Sequence, residues 1–282
     1  MKMKMKMPTN QTIIIIALVI IIALFVLFAT LYHISLTNEK DTSVQEYLHE
    51  VYIKTKSLEK KYHTFINPNY RVETINNITI VKDILHPKFF EYLQYQFINN
   101  KQYDSLNTII RKGHAIDFLN LHKNDEYDGF LELYYSSALT DALSNIMQKP
   151  IQRTPLHDPN ACSLLIYNNK GDHIDWHLDM SNYYGDRFVS LISIVNQNKD
   201  ATGLSQNEFQ YMYKGKMHTL QLEPNSMIIF KGSEILHKAT AITDGEKRIL
   251  LSMVFCDVCQ EKSTLFSVFI EKIKNWAFYR KN

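Results

Sequence analysis

Two residues of metal-binding type, His177 and Asp179, stand two positions apart in the stretch GDHIDWHLDM. In a β-strand such residues point to the same side, roughly 6 to 7 Å apart, so both can reach one ion. His237, in FKGSEILHKAT, is the natural third ligand. Two histidines and one carboxylate on one face of an octahedral ion leave the opposite face open, as Fe(II) oxygenases require. These residues therefore predict a non-haem iron site.

A second pair competes with this one, because the chain has 11 histidines and His173-Ile174-Asp175 is also a His-x-Asp. Strand alternation places His173 and Asp175 on the same face as His177 and Asp179, so periodicity alone does not choose between the pairs.

The zinc-protease pattern HExxH is absent, since His49-Glu50 is followed by Ile53 where the second histidine would stand. No serine-hydrolase elbow, dinucleotide-binding glycine motif or P-loop occurs.

The elements that must position these residues are mainly short strands. Beyond Pro159, β-rich segments bounded by Asn, Gly and Asp turns follow one another: ACSLLIYNN, HIDWHLDM, RFVSLISIVN, EFQYMY, MHTLQL, SMIIF and RILLSMVF. This pattern predicts an antiparallel sandwich or barrel, with a core over residues 160–256. One further strand, in ITIVKDIL, precedes this region.

Helices are predicted on either side of this β-rich region. They are the run that starts at Pro87 (PKFFEYLQYQFINN), residues 129–148 (GFLELYYSSALTDALSNIMQ) and a final helix, LFSVFIEKIKNWAFY. The predicted fold class is therefore mainly β with flanking helices (α+β).

The N-terminus predicts a membrane anchor. Residues from Ile13 to Tyr32 carry no charge and are numerous enough to cross roughly 30 Å of hydrocarbon. The run is longer than the apolar region of a cleaved signal peptide, which favours an uncleaved signal anchor over that alternative. Lysines 2, 4 and 6 precede the run, which keeps the N-terminus cytoplasmic. We therefore expect a type II membrane protein whose catalytic part is lumenal or extracellular, in the endoplasmic reticulum or a related membrane. The expected divisions are a cytoplasmic tail (1–12), a transmembrane signal anchor (13–33), a helical stem (34–73) and a catalytic domain (74–282).

The stem has apolar residues near helical spacing in VQEYLHEVYIKTKSLEKKYHTF, which predicts an amphipathic helix. Its apolar stripe could instead pair with a second copy of the chain.

Net charge is only +2, which argues against a nucleic-acid partner. Cys256 and Cys259 form a lone CxxC, read as a local disulfide or two plain thiols. Asn77 begins the glycosylation sequon Asn-Ile-Thr, which a lumenal position would expose to modification.

At this point the chain resembles a known family. The stretch YNNKGDHIDWHLD, followed by the distal histidine of HKATAITDGEKR and an arginine, looks like the prolyl 4-hydroxylase-type 2-oxoglutarate and Fe(II)-dependent dioxygenases. The resemblance covers roughly residues 75–256. In that family a tyrosine precedes the metal histidine by about ten residues, which pairs Tyr167 with His177 and demotes His173. The resemblance implies a double-stranded β-helix, or jelly roll.

The resemblance also implies roles for single residues. His177, Asp179 and His237 would hold Fe(II) and be the catalytic centre, and Arg248 would hold the far carboxylate of the co-substrate 2-oxoglutarate. Arg248 opens the apolar strand ILLSMVF, which favours an inward side chain over a surface charge. Tyr167 is a candidate hydrogen-bond donor to the co-substrate or a core tyrosine, and Ser252 shares a strand face with Arg248.

The implied reaction consumes O2 and 2-oxoglutarate and releases succinate and CO2 while a substrate is hydroxylated, with ascorbate as a further cofactor. The implied substrate is a protein or peptide, and above all peptidyl proline. The strand that ends ISIVN lacks the tyrosine some prolyl hydroxylases direct at 2-oxoglutarate, so the proline preference is the weaker inference. A lipid or small metabolite as substrate, or a metal-free jelly-roll binding module, are the alternatives.

Overall fold

The fold is described from a computed structural model that covers residues 18–30, 42–99, 104–105, 107–108, 110–123, 127–155, 158 and 160–262. The helices are α1 (18–30), α2 (Thr42–Tyr62), α3 (Pro87–Asn99), α4 (Phe118–Lys123), α5 (Phe130–Tyr135) and α6 (Ser137–Met147). The first seven strands are β1 (Arg71–Ile75), β2 (Ile78–Lys82), β3 (Asp104–Ser105), β4 (Arg111–Lys112), β5 (His114–Ile116), β6 (Gln152–Arg153) and β7 (Cys162–Tyr167). The others are β8 (His173–His177), β9 (Arg187–Gln197), β10 (Phe209–Tyr213), β11 (Lys216–Leu220), β12 (Met227–Lys231), β13 (His237–Ala239) and β14 (Lys247–Cys256).

The described strands form two antiparallel sheets. A major sheet of nine strands has the order β1-β2-β12-β9-β14-β7-β5-β3, with β6 also paired to β14. A minor sheet of five strands has the order β11-β10-β13-β8-β4. From β7 onward the chain passes repeatedly between the two sheets: β7, β9, β12 and β14 lie in the major sheet, and β8, β10, β11 and β13 lie in the minor one. This winding is that of a double-stranded β-helix, as the resemblance implies.

The central strands of the major sheet, β7, β9 and β14, are buried on both faces, and this explains their nearly continuous apolar sequences. Leu164 and Ile166 of β7 pack in a core that the helices share, whereas Leu165 and Tyr167 pack in a second core with residues of the minor sheet. β9 and β14 divide their side chains between the two cores in the same alternating way. The second core lies between the sheets, and the candidate site opens from it.

The helix predicted as a stem is docked on the folded part of the chain. Tyr47 and Val51 of α2 are buried in the core beside the helices, and the Tyr47 ring contacts Phe118 edge-on at 5.7 Å between centroids. Lys54 of the same helix pairs with Asp128 at 3.2 Å. Part of the apolar stripe is therefore covered within the chain. The predicted domain limits themselves stay a prediction.

Two other expectations differ from the structure. The predicted helix 129–148 is two helices, because Ser136 adopts an extended backbone and its side chain accepts a hydrogen bond from Leu139 N, which starts α6 afresh. The strand β13 is absent from the predicted strands, since it has only three residues and no alternation to reveal it. The predicted final helix lies outside the described residues.

Residues 18–30 of the predicted signal anchor are helical, and the rest of that segment lies outside the described residues. In the part of the chain that the structure describes, no helix is both long and apolar enough to span a bilayer. The predicted cytoplasmic tail, 1–12, also lies outside the described residues.

Candidate active site

The two histidines of the predicted metal site are brought together by strand pairing. His177 is the last residue of β8 and His237 is the first residue of β13. These strands are antiparallel neighbours in which His237 lies directly opposite His177, and the two ring centroids are 4.1 Å apart. Phe230 packs edge-on against the His237 ring at 4.8 Å and limits its movement.

Asp179 completes the cluster. Its carboxylate oxygens lie 3.9 Å from His177 Nε2 and 3.7 Å from His237 Nε2, and the ligand atoms of the three residues all lie within 4.8 Å of one another. An ion placed among atoms with this spacing would contact all three at ordinary metal–ligand distances. Within the described residues, His177, Asp179 and His237 are the cluster of histidine, cysteine and acidic side chains with such spacing.

Hydrogen bonds orient both imidazole rings toward the ion position. His177 Nδ1 lies 2.7 Å from the carbonyl oxygen of Asp175, and His237 Nδ1 lies 2.8 Å from the carbonyl oxygen of Ile235. A carbonyl oxygen only accepts, so each Nδ1 carries the proton and each Nε2 keeps a free lone pair. This is the tautomer and the outer support that a metal-binding histidine needs.

The sequence predicted that Asp179 lies on the same strand as His177. In the structure β8 ends at His177, so Asp179 follows the strand. The segment after β8 is instead held by a hydrogen bond from Asp179 N to Gly232 O at 2.9 Å. Gly232 approaches so closely that a Cβ atom there would lie 2.5 Å from Asp179 Oδ2 and 2.9 Å from a Val189 methyl. A glycine is thus required at residue 232 for the carboxylate to keep its place.

The competing pair is set apart by its surroundings. His173 Nε2 lies 3.7 Å from Asp175 Oδ2, but these side chains are 33% and 61% exposed, compared with 8% for His177 and 22% for Asp179. No third ligand among the described residues joins His173 and Asp175. The choice that strand alternation left open is therefore decided by the position of His237.

The charges of the cluster suit a metal ion. Burial and the nearby His237 lower the pKa of His177 to about 4, against the opposing effect of Asp179. Burial raises the pKa of Asp179, but His237, Arg187, His177 and Arg111 outweigh it, and the pKa lies below its usual value. Near neutral pH His177 is uncharged and Asp179 is ionised, which are the forms that coordinate metals.

A cavity of about 640 Å³, including its open mouth, leads from this cluster into the space between the sheets. The predicted residues Arg248, Tyr167 and Ser252 all line it together with the three candidate ligands. Its apolar walls are Leu165, Ile174, Val189, Leu191, Phe209, Ala239, Leu250 and Val254, and its further polar lining is Arg111, Asn160, Arg187 and Lys238.

Arg248 lies inward on β14 and is 1% exposed, which excludes the alternative of a surface charge. Its Nη1 donates a hydrogen bond to Asn207 Oδ1, while its buried Nε has no partner among the described residues. Tyr167 stands directly opposite on β7. Burial lowers the pKa of Arg248 to about 10, so the guanidinium remains charged at neutral pH. A buried and incompletely paired guanidinium on the cavity wall is suited to a carboxylate ligand.

The aromatic residues near the ligands have structural contacts. Trp176, on the opposite face of β8, lies under the ammonium of Lys238 at 5.0 Å. Tyr183 is buried and donates a hydrogen bond to Asp158 at 2.8 Å, and burial first and Asp158 second raise its pKa. Tyr184 is 63% exposed, so in this loop it is the aromatic ring open to a binding partner.

Four residues important to the site were missed from sequence: Asn207, Gly232, Arg111 and Arg187. Arg187 is the first residue of the apolar strand β9, and Arg248 is the second residue of the apolar strand β14. The criterion that selected Arg248, an arginine at the start of an apolar strand, would therefore have selected Arg187 as well. Arg111 stands on a strand of two residues whose sequence carries no such signal. Gly232 and Asn207 act through contacts that only the folded chain creates.

Solved structures similar to this chain include 2-oxoglutarate/Fe(II) oxygenases. A prolyl 4-hydroxylase of Pseudomonas putida is 12% identical, with 64% of this chain and 92% of that chain covered and a TM-score of 0.47. A prolyl hydroxylase of Trichoplax adhaerens, solved with a hypoxia inducible factor peptide fragment, is 14% identical over 78% and 96% of the two chains, with a TM-score of 0.46. A non-haem α-ketoglutarate-dependent epimerase of nogalamycin biosynthesis is 12% identical over 72% and 83%, with a TM-score of 0.49.

No protein-family model matches the sequence, and the comparison with curated proteins finds no match. At the identities and TM-scores of the similar structures, the activity has to be inferred from the site residues themselves. The chain resembles 2-oxoglutarate and Fe(II)-dependent oxygenases, prolyl 4-hydroxylases among them, both in its motif residues and in the solved structures to which it is similar.

Proposed function

We propose that this chain is an Fe(II)- and 2-oxoglutarate-dependent dioxygenase that hydroxylates a carbon of its substrate. The observation that carries the proposal is the convergence of His177, Asp179 and His237 on one point of a cavity that also contains Arg248. Two imidazoles and one carboxylate on one side of the ion position are the ligand set of non-haem iron oxygenases.

The residues of the cavity have separate roles in binding the metal and the co-substrate. Iron(II), when bound, would couple the oxidative decarboxylation of 2-oxoglutarate by O2 to hydroxylation of a substrate C–H bond, with succinate and CO2 as the other products. His177, Asp179 and His237 hold the ion, and Arg248 receives the far carboxylate of the co-substrate, with Tyr167 and Ser252 beside it. The apolar side chains of the cavity wall lower the local dielectric, which strengthens charge interactions beside them.

The substrate proposed first is peptidyl proline. Support for this choice comes from the motif resemblance to prolyl 4-hydroxylases. A lipid or a small metabolite is the alternative substrate within the same chemistry. A metal-free binding module is the alternative outside it, and the three aligned ligand atoms count against that alternative.

We propose further that the chain is anchored in a membrane through residues 13–33, with the catalytic part lumenal or extracellular. The uncharged run and the preceding lysines support the anchor. The disulfide between Cys256 and Cys259 is compatible with an oxidising compartment. Asn77 is exposed in the turn between β1 and β2, where a glycan would be accommodated.

The test uses the full chain in detergent with iron(II), ascorbate, 2-oxoglutarate and a panel of proline-containing peptides. We expect release of succinate and a gain of one oxygen atom in the mass of a peptide. Asp179→Ala should abolish both signals and weaken metal binding measured by calorimetry, because it removes the anionic ligand. Asp175→Ala, the matching change in the competing pair, should leave metal binding and turnover unchanged.

Each component of the proposal has its own contrary result. Hydroxylation of a lipid with none of any peptide would exclude the prolyl substrate and keep the chemistry. Equal metal affinity of the Asp179→Ala variant and the original chain would exclude the metal centre and favour a binding module.

A further inference from the structure

The cavity holds more positive charge than the proposed reaction uses. We infer that Arg111 and Arg187 form a second anion-binding subsite beside the metal centre, and that the substrate is recognised there through an oxyanion, a carboxylate or a phosphate. This inference rests on the proposed function and specifies the substrate class of the same cavity.

Both arginines are buried and incompletely paired. Arg111 is 8% exposed and Arg187 is 5% exposed, and both line the cavity that contains the three candidate metal ligands. The Nε and Nη1 atoms of each guanidinium are buried without a hydrogen-bond partner among the described residues. A buried charged donor without a partner is costly, and proteins retain such groups where a ligand supplies the partner.

The two guanidinium groups come from opposite sides of the site. Arg111 is the first residue of β4, at the edge of the minor sheet, and Arg187 is the first residue of β9 in the major sheet. Both line the cavity together with Asp179, His177 and His237. The separate subsite of Arg248 faces the co-substrate, with Tyr167 opposite on β7.

Nearby carboxylates within the described residues are already engaged elsewhere. Asp186, the neighbour of Arg187 in sequence, pairs with Lys149 at 3.1 Å and with Lys231 at 2.8 Å. Asp158 accepts the hydroxyl hydrogen of Tyr183. Asp175, on the strand next to Arg111, is 61% exposed and lies toward His173. None of these forms an ion pair with Arg111 or Arg187 in the described part of the chain.

The charges of the loaded site show what is missing. Iron(II) and Arg248 contribute three positive charges, and Asp179 and 2-oxoglutarate contribute three negative charges, so this set is neutral. Arg111 and Arg187 then leave two buried positive charges without a counter-charge in a cavity with apolar walls, in addition to Lys238, which lines the same cavity but is only half-buried. A neutral substrate would leave both charges buried and unpaired, which is strongly unfavourable. A substrate with a carboxylate or phosphate would neutralise one or both.

Guanidinium forks match such oxyanions because two parallel N–H donors meet two oxygen atoms. The anion held at Arg111 and Arg187 would fix the substrate next to the ion, so that a nearby C–H bond is the one converted to C–OH. On a peptide the oxyanion would be an acidic or phosphorylated side chain close to the hydroxylated residue. On a small molecule it would be the acid or phosphate group itself.

The test measures binding of inorganic phosphate to the full chain loaded with manganese(II) and saturating 2-oxoglutarate, without turnover. Phosphate is titrated at constant ionic strength against chloride, and the melting temperature and dissociation constant are recorded. We expect phosphate to raise the melting temperature, and Arg111→Gln or Arg187→Gln to weaken phosphate binding by about tenfold or more. Arg71→Gln is the matched control, because Arg71 is 72% exposed and pairs with Asp83 on the surface.

The same titration separates this inference from the proposed function. Stabilisation by manganese(II) and 2-oxoglutarate without any effect of phosphate overturns the subsite and leaves the oxygenase standing. Phosphate binding that persists in both glutamine variants but disappears in Asp179→Ala places the anion on the metal and also overturns the subsite. Loss of the 2-oxoglutarate effect in Arg248→Gln alone shows that the two anion sites are distinct.

Misfolding is controlled within the experiment. Arg111→Gln and Arg187→Gln should each keep the stabilisation by 2-oxoglutarate. Arg111→Lys and Arg187→Lys should retain part of the phosphate affinity, because charge remains but the planar fork is lost. Two competitors distinguish the sources of the oxyanion. A peptide with glutamate next to proline that displaces phosphate, where its glutamine counterpart does not, identifies a peptide side chain, and displacement by small acids or phosphate esters alone identifies a small molecule.

Discussion

At the scale of single residues, the candidate metal centre depends on the contact between Asp179 and the uncharged residue Gly232. Asp179 keeps its position because Gly232 leaves room for its carboxylate and accepts its backbone N–H. The two histidines depend on carbonyl oxygens in a similar way. The metal affinity of this chain should therefore respond to residues that never touch the metal.

Replacing Gly232 with alanine tests this dependence. The added methyl would lie 2.5 Å from Asp179 Oδ2, so the carboxylate must move away from the histidines. We expect the dissociation constant for manganese(II), measured by calorimetry, to rise by roughly 10- to 100-fold. Gly203→Ala is the matched control, since a Cβ there comes within 3.4 Å of a single flexible amide. Equal metal affinity of the two alanine variants would contradict the positioning role of Gly232.

At the scale of elements, the segment that joins Asp179 to Arg187 is fastened to the chain after β14. Gly185 N donates to Val258 O at 3.1 Å, and Tyr184 N donates to Gln260 O at 2.9 Å. Asp186 N donates to Asp257 Oδ1 at 2.8 Å. The disulfide between Cys256 and Cys259 closes the turn that presents these acceptors. The disulfide therefore supports the loop that lies between a candidate metal ligand and a candidate substrate ligand.

Removal of this disulfide should destabilise the protein measurably. For a loop this short, the loss of chain restriction amounts to about 2 kcal/mol. For a chain of this size that corresponds to roughly 4–8 °C in melting temperature. We expect the melting temperature of Cys259→Ser to be lower by this amount and to be unaffected by added reductant. The melting temperature of the original chain should fall to the same value when the disulfide is reduced. The third cysteine, Cys162, is buried and free, so its thiol does not complicate the comparison. If reductant leaves the melting temperature of the original chain unchanged, the disulfide does not stabilise this loop.

At the scale of the whole molecule, the metal-free protein should lose stability as the pH falls. Burial and His237 lower the pKa of His177 to about 4, compared with 6.5 for an unperturbed histidine. The unfolded chain therefore binds a proton at His177 between pH 6.5 and pH 4 that the folded chain resists, so the stabilisation is complete above pH 6.5 and is lost toward pH 4. The expected loss is about 3 kcal/mol.

Urea unfolding of the metal-free chain at pH 7 and pH 4.5 measures this loss, and His177→Gln separates it from the other titrating groups. The free energy of unfolding of the variant should change less between the two pH values than that of the original chain. Asp179 does not confuse the result, since its lowered pKa places its contribution at a pH below this window. Identical pH dependence of the two proteins would show that His177 is not a buried neutral group.

Much of this architecture was predictable, because strand alternation and turn residues are local properties. All seven strands predicted beyond Pro159 are present, and their arrangement in two sheets agrees with the predicted jelly roll. The break at Ser136 was within reach of the sequence, since serine at that position is an ordinary helix start. The three-residue strand β13 was not, because it is defined only by the neighbours with which it pairs.

The sequence by itself determined which residue types could form the metal centre, and it placed Arg248 at the head of a buried strand. Strand alternation left His177–Asp179 and His173–Asp175 equivalent, and the family resemblance favoured the first pair. The tertiary structure agrees with that choice and gives its physical reason, because it brings His237 opposite His177. A period of two residues gives every second side chain the same direction, so the choice between equivalent pairs must come from the facing strand. The same holds for Arg111 and Arg187, which stand 76 positions apart in the chain and belong to one cavity because the two sheets fold over each other.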